Sequence, residues 1–352
     1  MCVLCFITMK PIAYFYPPGH QGHYQDQHPE RPERVEVIRD RLRATGHWEL
    51  GSKIEAKEIG AELLRRVHSA EYLDALERLS AANQNFDGET YLTRKSWELA
   101  LQAAGGAVGL VDAIWERRAD KGFGFTRPPG HHATIDRAMG FCLVNNVAVA
   151  AEYLIENKQA KRIAILDVDV HHGNGTQDIF YNRADVFFTS MHQSPLYPGT
   201  GLINELGKNK GYGYTQNLPL PPYSGDEAYL SILDKLILPT LENFGAEMLL
   251  ISFGFDAHWR DPLAMMQLSA QGYLEIFRRL VNFADAHCGG KLAVILEGGY
   301  DLEAGAACGQ AVAQALLREE FVDELGESPQ PNSKDWTQVL IEATETWSEI
   351  QL

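Results

Sequence analysis

The chain has 352 residues, 45% of them apolar and 22% charged, with 31 glycines and 16 prolines. That composition excludes a disordered, collagen-like or coiled-coil chain. Lysine and arginine total 31 against 47 aspartates and glutamates, a formal charge of -16, which repels phosphate backbones, argues against direct nucleic-acid binding and favours a cationic small molecule or a basic peptide.

From the N-terminus, the apolar stretch 1–9 is too short for a signal peptide and lacks a basic leader. Cys2 and Cys5 form a CxxC without a second pair, read as part of a frayed terminus over 1–10. β-Branched or aromatic runs bounded by Gly, Pro or polar residues predict strands at 12–16, 122–126, 163–170, 186–191, 248–253 and 292–296. Helical periods fall at 34–44, 70–82, 94–117, 141–157, 226–244, 269–286 and 304–317. Runs such as Ile163-Ala164-Ile165-Leu166 do not alternate with polar residues, so they fit parallel strands buried on both faces. The alternation of strand and helix predicts one α/β domain over 1–352, an open, mostly parallel sheet with helices on both faces. Segment 193–224 is read as the longest loop, and the acidic segment 321–352 as a C-terminal extension. No run approaches the ~18 apolar residues of a membrane span. Five scattered cysteines fit a reducing compartment, and a cytoplasmic location is expected.

In an open parallel sheet, ligands bind beyond the carboxyl ends of the strands. Asp167, Asp169, His171 and His172 crowd the end of the third run, and Asp169 and His171, two apart, can grip one cation. Asp256 follows the run 249–253 and would supply a third ligand; taken alone it reads as a helix N-cap. Two carboxylates and an imidazole with an open fourth position suit a catalytic zinc. Adjacent His131 and His132 follow Arg127-Pro128-Pro129-Gly130; one can serve as a general base, or the pair can be an exposed loop. After the last run, Glu297-Gly298-Gly299 leads to Tyr300, whose phenol can stabilise an oxyanion or simply pack in the core. In 28–34, Pro and Glu suit the first turn of a helix, and only Arg34 invites a functional reading.

Together and in this order, His28-Pro29-Glu30-Arg31-Pro32-Glu33-Arg34, Arg127 to His132, Gly140-Phe141-Cys142, Asp167 to Thr176, Pro198 to Gly201, Gly254 to His258 and Glu297 to Tyr300 resemble the histone deacetylase superfamily of zinc amidohydrolases. Asn174 resembles the class II branch and its bacterial relatives. The resemblance implies Asp169, His171 and Asp256 as zinc ligands and His132 as the base for the attacking water. It implies His131 as an electrostatic partner steadied by Asp167, Asn174 as the support of His132, and Tyr300 as the group that polarises the amide carbonyl. Gly140, Phe141 and Tyr197 would line a channel for an acylated aliphatic chain, with Leu263 at its rim. Asp167, Asp169, His171 and Ser190 match a site at which the family often holds potassium. The implied substrate is an acetylated lysine in a peptide or protein; Leu263, where polyamine-selective relatives can carry a carboxylate, favours it over an acetylated polyamine. Two rivals stand beside this reading: an arginase-like binuclear manganese hydrolase, which needs an Asp-X-Asp where the chain has Asp256-Ala257-His258, and a non-catalytic acyl-lysine binding protein.

Overall fold

The structure, a computed structural model, describes residues 12–350. The expected frayed terminus and its Cys2–Cys5 pair lie outside the described residues. Eight strands form one sheet: β1 (Ala13–Phe15), β2 (Ser52–Ile54), β3 (Lys121–Gly124), β4 (Ile163–Asp167), β5 (Val186–Gln193), β6 (Thr215–Leu220), β7 (Met248–Phe253) and β8 (Leu292–Leu296). Their order is β2-β1-β3-β8-β7-β4-β5-β6, and every neighbouring pair is parallel.

The uninterrupted apolar runs have the predicted cause. In β4, Ala164 and Leu166 enter one hydrophobic core while Ile163 and Ile165 enter the other, on the opposite face; β7 divides the same way between Leu249, Ile251 and Phe253 and Met248 and Leu250. Each such side chain contributes about 1.5–3 kcal/mol on burial. Helices cover both faces because their apolar residues recur every three or four positions. In Ala270–His287, for example, Tyr273, Phe277, Leu280 and Ala284 are buried, and the Ser269 side chain starts the helix by accepting the N–H of Gly272.

Three expectations need correction. Segment 193–224 is not all loop: β6 lies within it and forms the sheet edge, where Pro219 is tolerated because no strand lies beyond. The helix expected from residue 141 begins at Asn146, since Phe141 has φ +68° and Asn145 caps the helix by accepting the Ala148 N–H. β4 ends at Asp167 instead of Val170, so the metal-binding motif lies on the loop after the strand. The segment 321–352 includes the helix Trp336–Ser348, whose Trp336, Ala343 and Trp347 join the larger core.

What matters for function is the level at which the central strands stop. Asp167 of β4 is in register with Ser252 of β7, Ser252 with Ile295 of β8, and Ile295 with Gly124 of β3. The four loops that follow these adjacent strands therefore emerge side by side, carrying 168–174, 254–256, 297–300 and 125–132.

Candidate active site

On the β4 and β7 loops, Asp169, His171 and Asp256 offer donor atoms that all lie within 4.8 Å of one another. His171 Nδ1 is 3.2 Å from both Asp169 Oδ1 and Asp256 Oδ2. Backbone groups aim the carboxylates: the N–H groups of His171 (2.9 Å) and Gly298 (2.7 Å) donate to Asp169, and that of Val170 (3.0 Å) to Asp256. A Cβ at Gly254 or Gly298 would collide with both carboxylates, which is why glycine occupies these two positions.

Both aspartates are fully buried, and two buried carboxylates with donor oxygens within 4.8 Å of each other are stabilised by a cation between them. Burial opposes charge on His171, yet hydrogen bonds to Asp169 and Asp256 raise its pKa to about 10, so a proton is the cation these side chains supply among themselves. Burial and the neighbouring Asp169 push Asp256 upward. An oxygen, nitrogen, oxygen donor set in an anionic pocket fits one divalent transition metal, zinc above all.

Beside this cluster sit two histidines with opposite partners. His131 Nδ1 donates to Asp167 Oδ2 (2.9 Å); burial disfavours its charge, but Asp167 and Asp169 outweigh burial and raise its pKa to about 10. His132 Nδ1 donates to the uncharged Asn174 Oδ1 (2.7 Å). Burial, then the positive charges of His131 and His171, hold its pKa well below 6.5. With rings only 4.0 Å apart, one imidazole is a cation and the other a neutral base, its Nε2 lone pair free. Glu297 pins their loop by accepting the N–H groups of Gly130 (2.7 Å) and His131 (3.1 Å). Glu297 also forms a donor group with His131 and Cys142, but those hydrogen bonds already engage the histidine and the carboxylate.

The cluster opens, through His171, into a cavity of about 410 Å³ that His132, His171 and Tyr300 line together. Each residue expected in the channel lines it: Gly140, Phe141, Tyr197 and Leu263. The Tyr197 ring lies edge-on to His132 (5.2 Å) and the Phe141 ring edge-on to Tyr300 (5.9 Å), so the aromatics stand over opposite halves of the floor. Gly140, at φ +55°, packs where a Cβ would strike His132 and Tyr197. Burial keeps the Tyr300 phenol protonated, its pKa well above 10, with the Arg34 guanidinium 5.0 Å from its ring centre acting the other way. Ser190, expected near a potassium ion, shares its hydroxyl with His192 Nδ1 (2.9 Å), and Asp167 is engaged by His131.

Sequence reasoning missed three acidic residues. Glu89 stands at the cavity mouth with Gly88 and His28. Fully buried Glu30 receives Arg34 (3.0 Å) and Arg127 (2.7 and 2.9 Å); burial opposes its charge, but Arg127 and Arg34 bring its pKa down to about 2. Arg34 in turn donates to the carbonyls of Glu297 and Gly299, so Glu30 ties the histidine loop to the tyrosine loop. Asp261 accepts the Tyr300 N–H (2.7 Å). Each lies in an irregular segment; the only sequence signals are Glu30 within the quoted 28–34 motif and Asp261 just before Pro262-Leu263.

A parallel sheet flanked by helices, with a donor cluster at its carboxyl edge, is the α/β fold of deacetylases and arginases. Residues 28–316 match the family model for the histone deacetylase domain, and the chain belongs to the histone deacetylase family of amide hydrolases. It is 43% identical over 278 residues to a probable deacetylase of Archaeoglobus fulgidus, covering 78% of this chain and 77% of that protein. It is 37% identical over 312 residues to the histone deacetylase-like amidohydrolase of Pseudomonas aeruginosa, covering 88% and 81% respectively. The crystal structure of the HDA15 HD domain superposes with a TM-score of 0.88 at 35% identity, covering 97% of this chain and 95% of that one.

Proposed function

We propose that this protein is a zinc-dependent deacetylase that hydrolyses the acetyl amide of acetyl-lysine side chains, releasing acetate and a free amine. Asp169, His171 and Asp256 would hold a single zinc ion, which when bound supplies Lewis-acid polarisation of a carbonyl and a lowered pKa for a water molecule. The protein's own groups perform the proton transfers. His132, neutral at Nε2, takes a proton from the attacking water and returns it to the leaving nitrogen as the C–N bond breaks. Tyr300 donates its O–H to the carbonyl oxygen as negative charge builds there, and cationic His131 favours that charge from behind. Phe141 and Tyr197 hold the aliphatic arm, where each buried methylene contributes about 0.8 kcal/mol.

One observation carries this reading: neutral His132, the cluster residue His171 and the Tyr300 phenol line one aromatic-walled cavity, with Asp169, Asp256 and cationic His131 grouped beside them. A binding module has no use for a base kept neutral by burial and two cationic neighbours. The arginase-like reading needs a second acid at position 258, whereas His258 Nδ1 accepts the Arg260 N–H (3.3 Å) and assembles no second ligand set among the described residues. Turnover of a fluorogenic acetyl-lysine peptide by wild type, His132→Ala and Tyr300→Phe tests the proposal. Both variants should lose most activity, and equal turnover in all three discards it.

Glu89 favours a second substrate class. A carboxylate at the mouth, on a chain of charge -16, can receive the distal ammonium of an acetylated polyamine. Comparing kcat/KM for acetyl-lysine peptides, acetylspermidine and acetylputrescine decides between the two.

A further inference from the structure

Stabilising a developing oxyanion requires the Tyr300 hydroxyl in a fixed place, yet its segment is poorly suited to rigidity. Residues 297–301 lie in neither helix nor strand, and Gly299 has φ +105°. Besides Asp169, which accepts the Gly298 N–H at 2.7 Å, two buried side chains hold this segment. Arg34 grips the carbonyls of Glu297 and Gly299 on one side. On the other side is Asp261, which is only 6% exposed. Its Oδ2 accepts the N–H of Tyr300 (2.7 Å) and, more weakly, of Asp301 (3.4 Å), while its Oδ1 accepts the N–H of Leu263 (2.9 Å). Neighbouring Arg260 is turned away, to Asp301 (3.5 Å) and Glu303 (2.7 Å). Both oxygens of Asp261 are thus taken by backbone N–H groups, which favour its carboxylate form against burial and the neighbouring Asp256.

We infer that Asp261 is a positioning residue for Tyr300: it fixes the backbone that carries the phenol and braces it against the mouth of the channel at Leu263. The chemistry of the site explains the residue type. Asparagine offers one acceptor oxygen, so its NH2 group would face either the Tyr300 N–H or the Leu263 N–H, and one of the two braces would be lost. The inference rests on the deacetylase reading, in which Tyr300 assists only while the reaction proceeds; misplacing it should therefore reduce kcat and leave substrate binding nearly intact.

A double-mutant cycle of Asp261→Asn and Tyr300→Phe on an acetyl-lysine peptide, with metal content and melting temperature measured for each protein, tests it. Asp261→Asn alone should lower kcat about ten- to a hundredfold with KM changed by no more than about twofold, as expected for a displaced catalytic group. In the Tyr300→Phe background the same change should cost less than about twofold, because no hydroxyl is left to misplace. Full multiplication of the two losses, or an unchanged kcat in Asp261→Asn, overturns the inference while leaving the deacetylase reading standing. An inactive wild type, or Tyr300→Phe turning over like wild type, overturns both. If Asp261→Asn does not fold, Asp261→Glu replaces it: the longer acid keeps both acceptors, pushes the Tyr300 backbone outward, and should show the same loss of kcat and the same silence beside Tyr300→Phe.

Discussion

The floor and the mouth of the cavity are built on opposite principles. The floor is buried and crowded, with both aspartates of the metal cluster aimed by backbone N–H groups and two glycines present because nothing larger fits. The mouth is open and chemically mixed, with Leu263 39% exposed on one part and Glu89 on another. Chemistry is set where the sheet ends and solvent is excluded; choice of substrate is left to loops that the core does not constrain.

If that contrast holds, substitutions beneath the floor should cost stability and metal, and substitutions at the mouth only selectivity. The largest effect should come from Glu30→Gln, which leaves two buried guanidinium groups without their shared carboxylate; a loss of about 3–5 kcal/mol, seen in denaturant melts, is the expected size. Gly298→Ala should weaken zinc binding by about 10–100-fold in a chelator competition, because the new methyl displaces both carboxylates. Leu263→Glu should move the kcat/KM ratio toward acetylspermidine by about tenfold with kcat for the lysine substrate little changed.

Asn174→Asp works on pH. His132 titrates below the ordinary histidine range, so wild-type activity should persist as pH falls through 6.5 and fail only further down. A carboxylate in place of the amide favours the imidazolium, raises that pKa, and moves the acid limb of kcat/KM to higher pH; an unmoved limb would show that His132 is not the base. The smallest effect belongs to Glu89→Gln, a few-fold rise in KM for cationic substrates that salt should erase.

The same contrast explains what could be read in the chain. β7 and β8 match their predicted limits because fully buried strands leave unbroken apolar runs, and the metal ligands follow such runs directly. β6 was hidden by its edge position, where Pro219 and the glycines before it look like loop. The false start of the helix at Phe141 has two sources: Phe141 is apolar because it lines the channel, and Leu143 and Val144 because they pack in the core ahead of the helix. Glu30, Glu89 and Asp261 could not be singled out, because what makes each important is a partner far away in sequence: Arg127, the cavity mouth and Tyr300.

Elemental analysis of the purified protein reaches the central claim most directly. One zinc per chain in wild type, absent from Asp169→Ala and Asp256→Ala proteins that still melt cooperatively, is the expected result. Two manganese ions per chain, or zinc retained in full by both variants, would contradict it.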